Sequence, residues 1–189
     1  MMPAVPRRAL LVIAAVVAVQ ITGFLVYRAV EQRSDHRVPA RFAYELIAPP
    51  APLPSLAFED PRGDPVPLQS LAGKPVLLHF WATWCAPCRA ELPGLLAYAR
   101  SNDADRPAVV LVSLDENWDV IRHYFDGALP PGALRDGTRV AAQSLGVETL
   151  PQTLLLRPPG AAVARMRGAR DWRSAEARGI VARLARTEP

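Results

Sequence analysis

The chain has 189 residues, half of them apolar, and a formal charge of +4. That length suits one globular domain plus an extension. Every basic residue except Lys74 is arginine, and these are scattered without a dense basic block or interleaved aromatics, which argues against nucleic-acid binding.

Residues 1–8 read as a short N-terminal tail. Residues 9–30 are almost continuously apolar, broken only by Gln20, Thr22, Tyr27 and Arg28. The charge-free stretch from Ala9 to Tyr27 approaches the ~20 residues a helix needs to cross a bilayer. A cleaved signal peptide has a shorter apolar region, ~7–15 residues, so an uncleaved single-pass anchor is the expectation. Arginines flank both sides, and the positive-inside rule does not choose between them. Residues 31–54 are polar and then rich in proline (Pro49, Pro50, Pro52, Pro54), which reads as an extended tether.

The remaining residues, 55–189, read as a mixed α/β domain. Leu56-Ala57-Phe58 and Val66-Pro67-Leu68 flank the turn-type cluster Pro61-Arg62-Gly63-Asp64 and suggest a hairpin. Val76–Trp81 is a buried central strand, followed by a helix from Pro87 to about Arg100. Ala108–Ser113 is a second buried strand and Asn117–Phe125 a short helix. Asp115, Glu116 and His123 read as surface residues. Arg139–Leu145 is helical and ends at Gly146, a C-cap residue. Thr153–Arg157 and Val163–Arg167 are strands, and Ser174–Ala185 is a closing helix with Ser174 as N-cap. Strands and helices in this order give a mixed central sheet covered by helices.

Both cysteines lie in Trp84-Cys85-Ala86-Pro87-Cys88-Arg89-Ala90, between the central strand and the first helix. Three positions apart, they close too short a loop to staple the fold. A Cys-x-x-Cys pair at a strand-to-helix junction is the signature of a dithiol/disulfide redox site. A thiolate, not a thiol, attacks a disulfide, so the attacking cysteine needs a stabilised negative sulfur. Cys85 at the helix N-terminus has free amides and the helix dipole for that purpose. Cys88, one turn further in, can reach Cys85 but is more sheltered. Cys85 is therefore the expected attacking residue and Cys88 the resolving one. Pro87 fits the first turn, where its missing amide is not needed. Trp81 and Trp84 are expected to form an apolar rim.

Other uses of the pair fit less well. A c-type haem needs Cys-x-x-Cys-His, and residue 89 is Arg. Structural zinc needs four ligands, and besides the two cysteines only His36, His79 and His123 are present, without suitable spacing. Two unreactive buried cysteines and a thiol metallochaperone are further alternatives. The Pro-x-x-x-Thr-x-x-Cys arrangement of peroxiredoxins is absent.

Phe80-Trp81-Ala82-Thr83-Trp84-Cys85-Ala86-Pro87-Cys88-Arg89-Ala90-Glu91-Leu92-Pro93 resembles the active-site segment of the thioredoxin superfamily. Thr83 before Trp84, and Arg-x-Glu-Leu-Pro after Cys88, resemble the membrane-anchored TlpA/ResA/CcmG (DsbE) branch. The resemblance runs from about Leu53 to Leu184 and implies a thioredoxin-like fold with an N-terminal β-hairpin. It implies a cis-proline at Pro151 opposite the dithiol, with the Leu150 backbone pairing to a bound substrate strand. Alternatively Pro151 merely starts a strand. Gln152 stands where Thr is more usual, so altered substrate contacts are expected there. Glu91 matches the branch's buried active-site acid, able to shuttle protons to the thiols; a solvated first-turn glutamate is the other reading. Pro93 matches the helix-kinking proline of thioredoxins. His79 stands where thioredoxins have a buried Asp and the TlpA branch often Asn. It is either a modulator of Cys88 under the active site or a satisfied core histidine.

The resemblance further implies a thiol:disulfide oxidoreductase needing no organic cofactor beyond the Cys85–Cys88 disulfide. Its substrates would be protein thiols and disulfides, for example apocytochrome c cysteines kept reduced for haem attachment. Electrons would come from a membrane thiol donor. The expected place is a bacterial inner membrane, with the catalytic domain on the periplasmic or outer side, because a tethered redox domain is most useful there. A general thiol oxidant or isomerase is the second reading.

Overall fold

The structure, a computed structural model, describes residue 8 and residues 15–24, 41–71, 73–103 and 106–186. The chain divides into two compact units, Met1–Arg37 and Val38–Pro189. In the first, residues 15–24 are helical and exposed, and the rest of the expected 9–30 anchor lies outside the described residues. Among the described residues no helix is long and apolar enough to cross a membrane.

The second unit is built on one eight-stranded mixed sheet. Its strands are β1 (Glu45–Pro52), β2 (Ala57–Glu59), β3 (Pro65–Pro67), β4 (Val76–Trp81), β5 (Ala108–Ser113), β6 (Ala133–Arg135), β7 (Gln152–Arg157) and β8 (Ala161–Arg167). Their order across the sheet is β1-β8-β7-β4-β5-β6-β2-β3. The helices are α1 (Ala86–Ala99), α2 (Trp118–Tyr124), α3 (Val140–Ser144) and α4 (Ala175–Arg186). β4 lies at the centre, parallel to β5 and antiparallel to β7. All six of its residues are buried, as a strand covered on both faces requires. Leu77 and Trp81 join the core that includes Leu92 and Leu95 of α1 and Val181 of α4. Leu78 and Phe80 join the opposite core with Ala141 and Ala142 of α3. Alternation along the strand thus sends His79 to the α1 and α4 face.

Two sequence expectations change. The stretch 45–52, read as tether, is strand β1 and pairs with β8 from Glu45↔Arg165 to Pro52↔Ala161. Its prolines suit it to a sheet edge, where missing amides cost no ladder bond, and the register shifts between Leu46 and Ala51. The folded unit reaches back further still: Phe42 is buried, its ring edge-on to Trp172 at 5.3 Å. β6, for which the sequence offered no reading, forms because its three residues extend the parallel β5 edge. Trp81 is not on a rim: it is 1% exposed, packed against Tyr124 and Phe125 at 5.3 and 5.5 Å. Both faces of β4 are covered, so its last residue is buried on either side.

Two cap expectations hold. Gly146 follows α3 with φ +67°, and the Val147 amide donates back to Ala142 O at 2.9 Å. Ser174 Oγ accepts the Ala177 amide at 3.1 Å at the start of α4.

Candidate active site

β4 ends at Trp81, and α1 begins at Ala86. The turn between them is pinned from β5. Thr83 donates its amide and hydroxyl to the Asp115 carboxylate at 2.9 and 2.8 Å. Ser113 Oγ donates to the same carboxylate at 2.6 Å. Asp115, expected at the surface, is 3% exposed because these donors draw it inward; Glu116 and His123 are exposed as expected.

Cys85 is the N-cap of α1, and its Sγ accepts the Cys88 amide at 3.3 Å. The sulfur does what an Asp or Ser oxygen does at other helix starts, and the same amide can stabilise a thiolate. Cys85 and Cys88 form a disulfide. Cys88 is fully buried while Cys85 keeps 6% exposure, which orders the two sulfurs by access. Pro87 lies in the first turn, as its lack of an amide allows. Trp84 is 60% exposed beside the disulfide, and the Arg139 guanidinium lies 5.7 Å from its ring centre.

The Leu150–Pro151 peptide is cis. Leu150 lines a groove of about 550 Å³ with Trp84, Cys85, Pro87, Arg139 and Glu148. Gln152, where altered substrate contacts are expected, is fully buried, and its Nε2 donates to Gly146 O at 3.0 Å. It has no solvent side because β7 is buried on both faces. A larger hollow, about 600 Å³, opens near Val76 and Ala108 at the other end of β4 and β5 and includes neither cysteine.

Beneath the disulfide lies a buried polar cluster. Glu91, one helical turn beyond Cys88, is 3% exposed. Its Oε2 accepts the Arg170 amide at 2.6 Å and Trp172 Nε1 at 3.1 Å. Burial pushes its carboxyl up to about 8 despite those two donors. Its Oε1 lies 3.4 Å from His79 Nε2. His79 is fully buried, and its Nδ1 is 2.9 Å from Thr153 Oγ1, directly across on β7. Burial holds its imidazole down to about 3, so the ring is neutral. The solvated reading of Glu91 is thereby excluded, and His79 lies in the core with Nδ1 partnered by Thr153 and Nε2 facing Glu91. Thr153, Arg170 and Trp172 are not among the candidate site residues of the sequence, and Asp115 is read there as a surface acid. Thr153 alone had a signal there, facing His79 once two antiparallel strands are aligned.

A mixed sheet flanked by helices, with a disulfide capping the helix after the central strand and a cis-proline peptide bordering the same groove, defines a thioredoxin-like thiol:disulfide oxidoreductase. The chain belongs to the AhpC/TSA family, whose model matches residues 49–164. Leu78 and Ala82 occupy the Pro and Thr positions of the peroxiredoxin pattern before Cys85, so the match lies in the scaffold rather than in that peroxidase motif. The chain is 31% identical over 121 residues to the thiol-disulfide oxidoreductase ResA of Bacillus subtilis, spanning 63% of this chain and 67% of that protein. Among solved structures it resembles one from Chlorobium tepidum assigned to the thiol:disulfide interchange protein DsbE. That likeness has 26% identity and a TM-score of 0.61, over 71% of this chain and 96% of the other. A thiol:disulfide interchange protein from a Bacteroides species is also similar, at 26% identity and a TM-score of 0.52, over 63% and 81% of the two chains. The ResA/DsbE type is thus the branch to which the enzyme belongs.

Proposed function

We propose that the protein is a membrane-anchored reductant of protein disulfides, in which Cys85 attacks and Cys88 resolves. In the reduced enzyme the Cys85 thiolate attacks a substrate disulfide, and one substrate sulfur leaves as a thiolate. Cys88 then gives its proton to Glu91 and attacks Cys85 Sγ. The second substrate thiolate departs with the electron pair of the mixed disulfide. The substrate disulfide is reduced and the Cys85–Cys88 disulfide is formed. A membrane thiol donor restores the dithiol, and no organic cofactor takes part. Trp84 and Leu150 line the groove in which the substrate strand lies, with the Leu150 backbone as its pairing edge and the cis bond to Pro151 holding that backbone.

The observation that carries the reductant reading is Glu91, buried one turn beyond Cys88. Once ionised, a buried carboxylate near a sulfur disfavours the thiolate, and a less stable thiolate lowers the reduction potential. A potential near ~−270 mV supports this reading and one near ~−120 mV supports a general oxidant. The charge-free run from Ala9 to Tyr27 supports single-pass anchoring in a bacterial cytoplasmic membrane, with the domain on the outer side. Apocytochrome c, whose haem-binding cysteines must be reduced before attachment, is the substrate we propose.

Trapping tests the assignment. Cys88→Ala in the intact organism should hold substrates on Cys85 as mixed disulfides that a thiol reductant releases. Capture of the same partners by Cys85→Ala instead would invert the roles, and no cytochrome among them would remove the proposed substrate.

A further inference from the structure

His79 Nε2 and Glu91 Oε1 are both buried, face each other at 3.4 Å, and have no other hydrogen-bond partner. A buried polar atom without a partner is costly, so one proton belongs between them. The neighbours decide where it sits. Oε2 already accepts two N–H groups, from Arg170 and Trp172, so it stays unprotonated. A proton on Glu91 therefore sits on Oε1 and points at Nε2. Nε2 must then be the bare nitrogen of a neutral ring, and Nδ1 must carry the ring proton toward Thr153 Oγ1. When Glu91 is ionised the demands reverse: Oε1 becomes an acceptor, Nε2 must carry the ring proton, and Nδ1 accepts from the Thr153 hydroxyl. Thr153 suits both states because a hydroxyl donates or accepts by rotating.

We propose that His79 is a positioning residue for Glu91, and that its ring changes tautomer each time Glu91 gains or loses a proton. The inference rests on the redox reading only in assigning Cys88 as the group with which Glu91 exchanges that proton. The ring carries one proton in both states, so the pair gains or loses one in total. Before the resolving step Glu91 is ionised and Nε2 is protonated. After it Glu91 holds the proton from the Cys88 thiol and Nδ1 is protonated. The groups in contact with the pair are Thr153 on β7 and the Arg170 amide and Trp172 N–H from the segment before α4, and Cys88 lies one helical turn before Glu91 on α1. The Arg170 guanidinium donates to Ala43 O and Ala169 O at 2.8 Å and acts on Glu91 only through space, where its charge favours the ionised carboxylate. No facing cation is thus hydrogen-bonded to the carboxylate in place of the ring.

The test uses the oxidised full-length protein with no substrate, so it stands whether or not trapping succeeds. The histidine rings are labelled with ¹⁵N and the glutamate carboxyls with ¹³C. Across pH 6–10, bracketing the Glu91 midpoint near 8, the His79 ring should keep one protonated and one bare nitrogen. The two should exchange identity with the midpoint of the Glu91 carboxyl. His79→Leu removes both donor and acceptor, which harms the ionised carboxylate more. It should raise the Glu91 midpoint by about one unit, or tenfold in proton affinity. His79→Gln, whose amide can present either group, should stay within about 0.3 units. A tautomer unchanged across the Glu91 titration overturns the proposal even if His79→Leu does not fold. So does a ring protonated at both nitrogens in that range, or equal midpoints in the wild type and His79→Leu.

Discussion

Thr83 places both its amide and its hydroxyl on the carboxylate of Asp115, at 2.9 and 2.8 Å. This pair fixes the turn that presents Cys85 at the head of α1. The carboxylate is buried, so its donors are not replaced by water when one partner is removed. Asp115→Ala should destabilise the oxidised protein by roughly 3 kcal/mol, and Thr83→Val by roughly 1.5 kcal/mol, since it loses the hydroxyl bond alone. Urea denaturation of both variants measures this, and equal stability to the wild type would show that the turn holds itself.

Two buried groups of opposite kind shape the pH dependence of stability. Burial raises Glu91 from 4.5 to about 8, so between those values the folded chain keeps a proton the unfolded chain has lost. That contribution is fully present below pH 4.5 and is lost as the pH rises toward 8. Burial lowers His79 from 6.5 to about 3, so its contribution is present above pH 6.5 and is lost as the pH falls toward 3. Between pH 4.5 and 6.5 the two slopes oppose and cancel. The pair should therefore add a rise from pH 3 to 4.5, a plateau to 6.5, and a fall to 8. Each slope reaches about 1.4 kcal/mol per pH unit. Denaturation midpoints against pH should show the fall in the wild type and not in Glu91→Gln.

Trp172 Nε1 is one of two donors to Glu91 Oε2 and favours the ionised form. Trp172→Phe keeps most of the ring and removes that donor. The Glu91 midpoint should move further up, read from its ¹³C carboxyl shift. A midpoint that stays or falls would mean that the Arg170 amide alone sets the charge.

Trp84 is a large exposed aromatic at the edge of the disulfide groove. Exposed tryptophans that fill a partner's pocket often dominate an interface. Trp84→Ala should raise KM for a protein disulfide roughly tenfold while leaving the reduction potential of Cys85–Cys88 unchanged. A shift in potential with no change in KM would place the residue in tuning rather than binding.

The edge strand β1 belongs to the folded unit. Phe42 packs on Trp172, its amide donates to Glu176 Oε2 at 3.1 Å, and Ala43 O accepts from the Arg170 guanidinium at 2.8 Å. Phe42→Ala should cost about 3 kcal/mol, within the range for deleting a buried phenylalanine ring. A chain beginning at residue 55 should be less stable again. Thermal unfolding of the two variants measures both effects.

Much of this protein is legible in the order of its residues. The run Val76–Trp81 followed by Cys85-x-x-Cys88 and a helical pattern defines strand, turn and capped helix, because those properties are local. Gly146 and Ser174 mark their helix ends for the same reason: a positive φ and a free amide are satisfied within a few residues. Glu91 could be read as either buried or solvated, and Asp115 as a surface acid, because neither reading can be tested within a short stretch of chain. Their burial depends on Arg170 and Trp172, about 80 positions away, and on Thr83, 32 positions away. The proline-rich stretch 45–52 likewise becomes a strand only because β8 offers an edge. The sequence by itself determined the dithiol, its place on a helix N-terminus and the fold that carries it. The tertiary structure decided what lies beneath the dithiol, Glu91 facing His79 facing Thr153. A buried proton is held by whatever donors and acceptors the folded chain brings within about 3 Å, and no local pattern encodes that meeting.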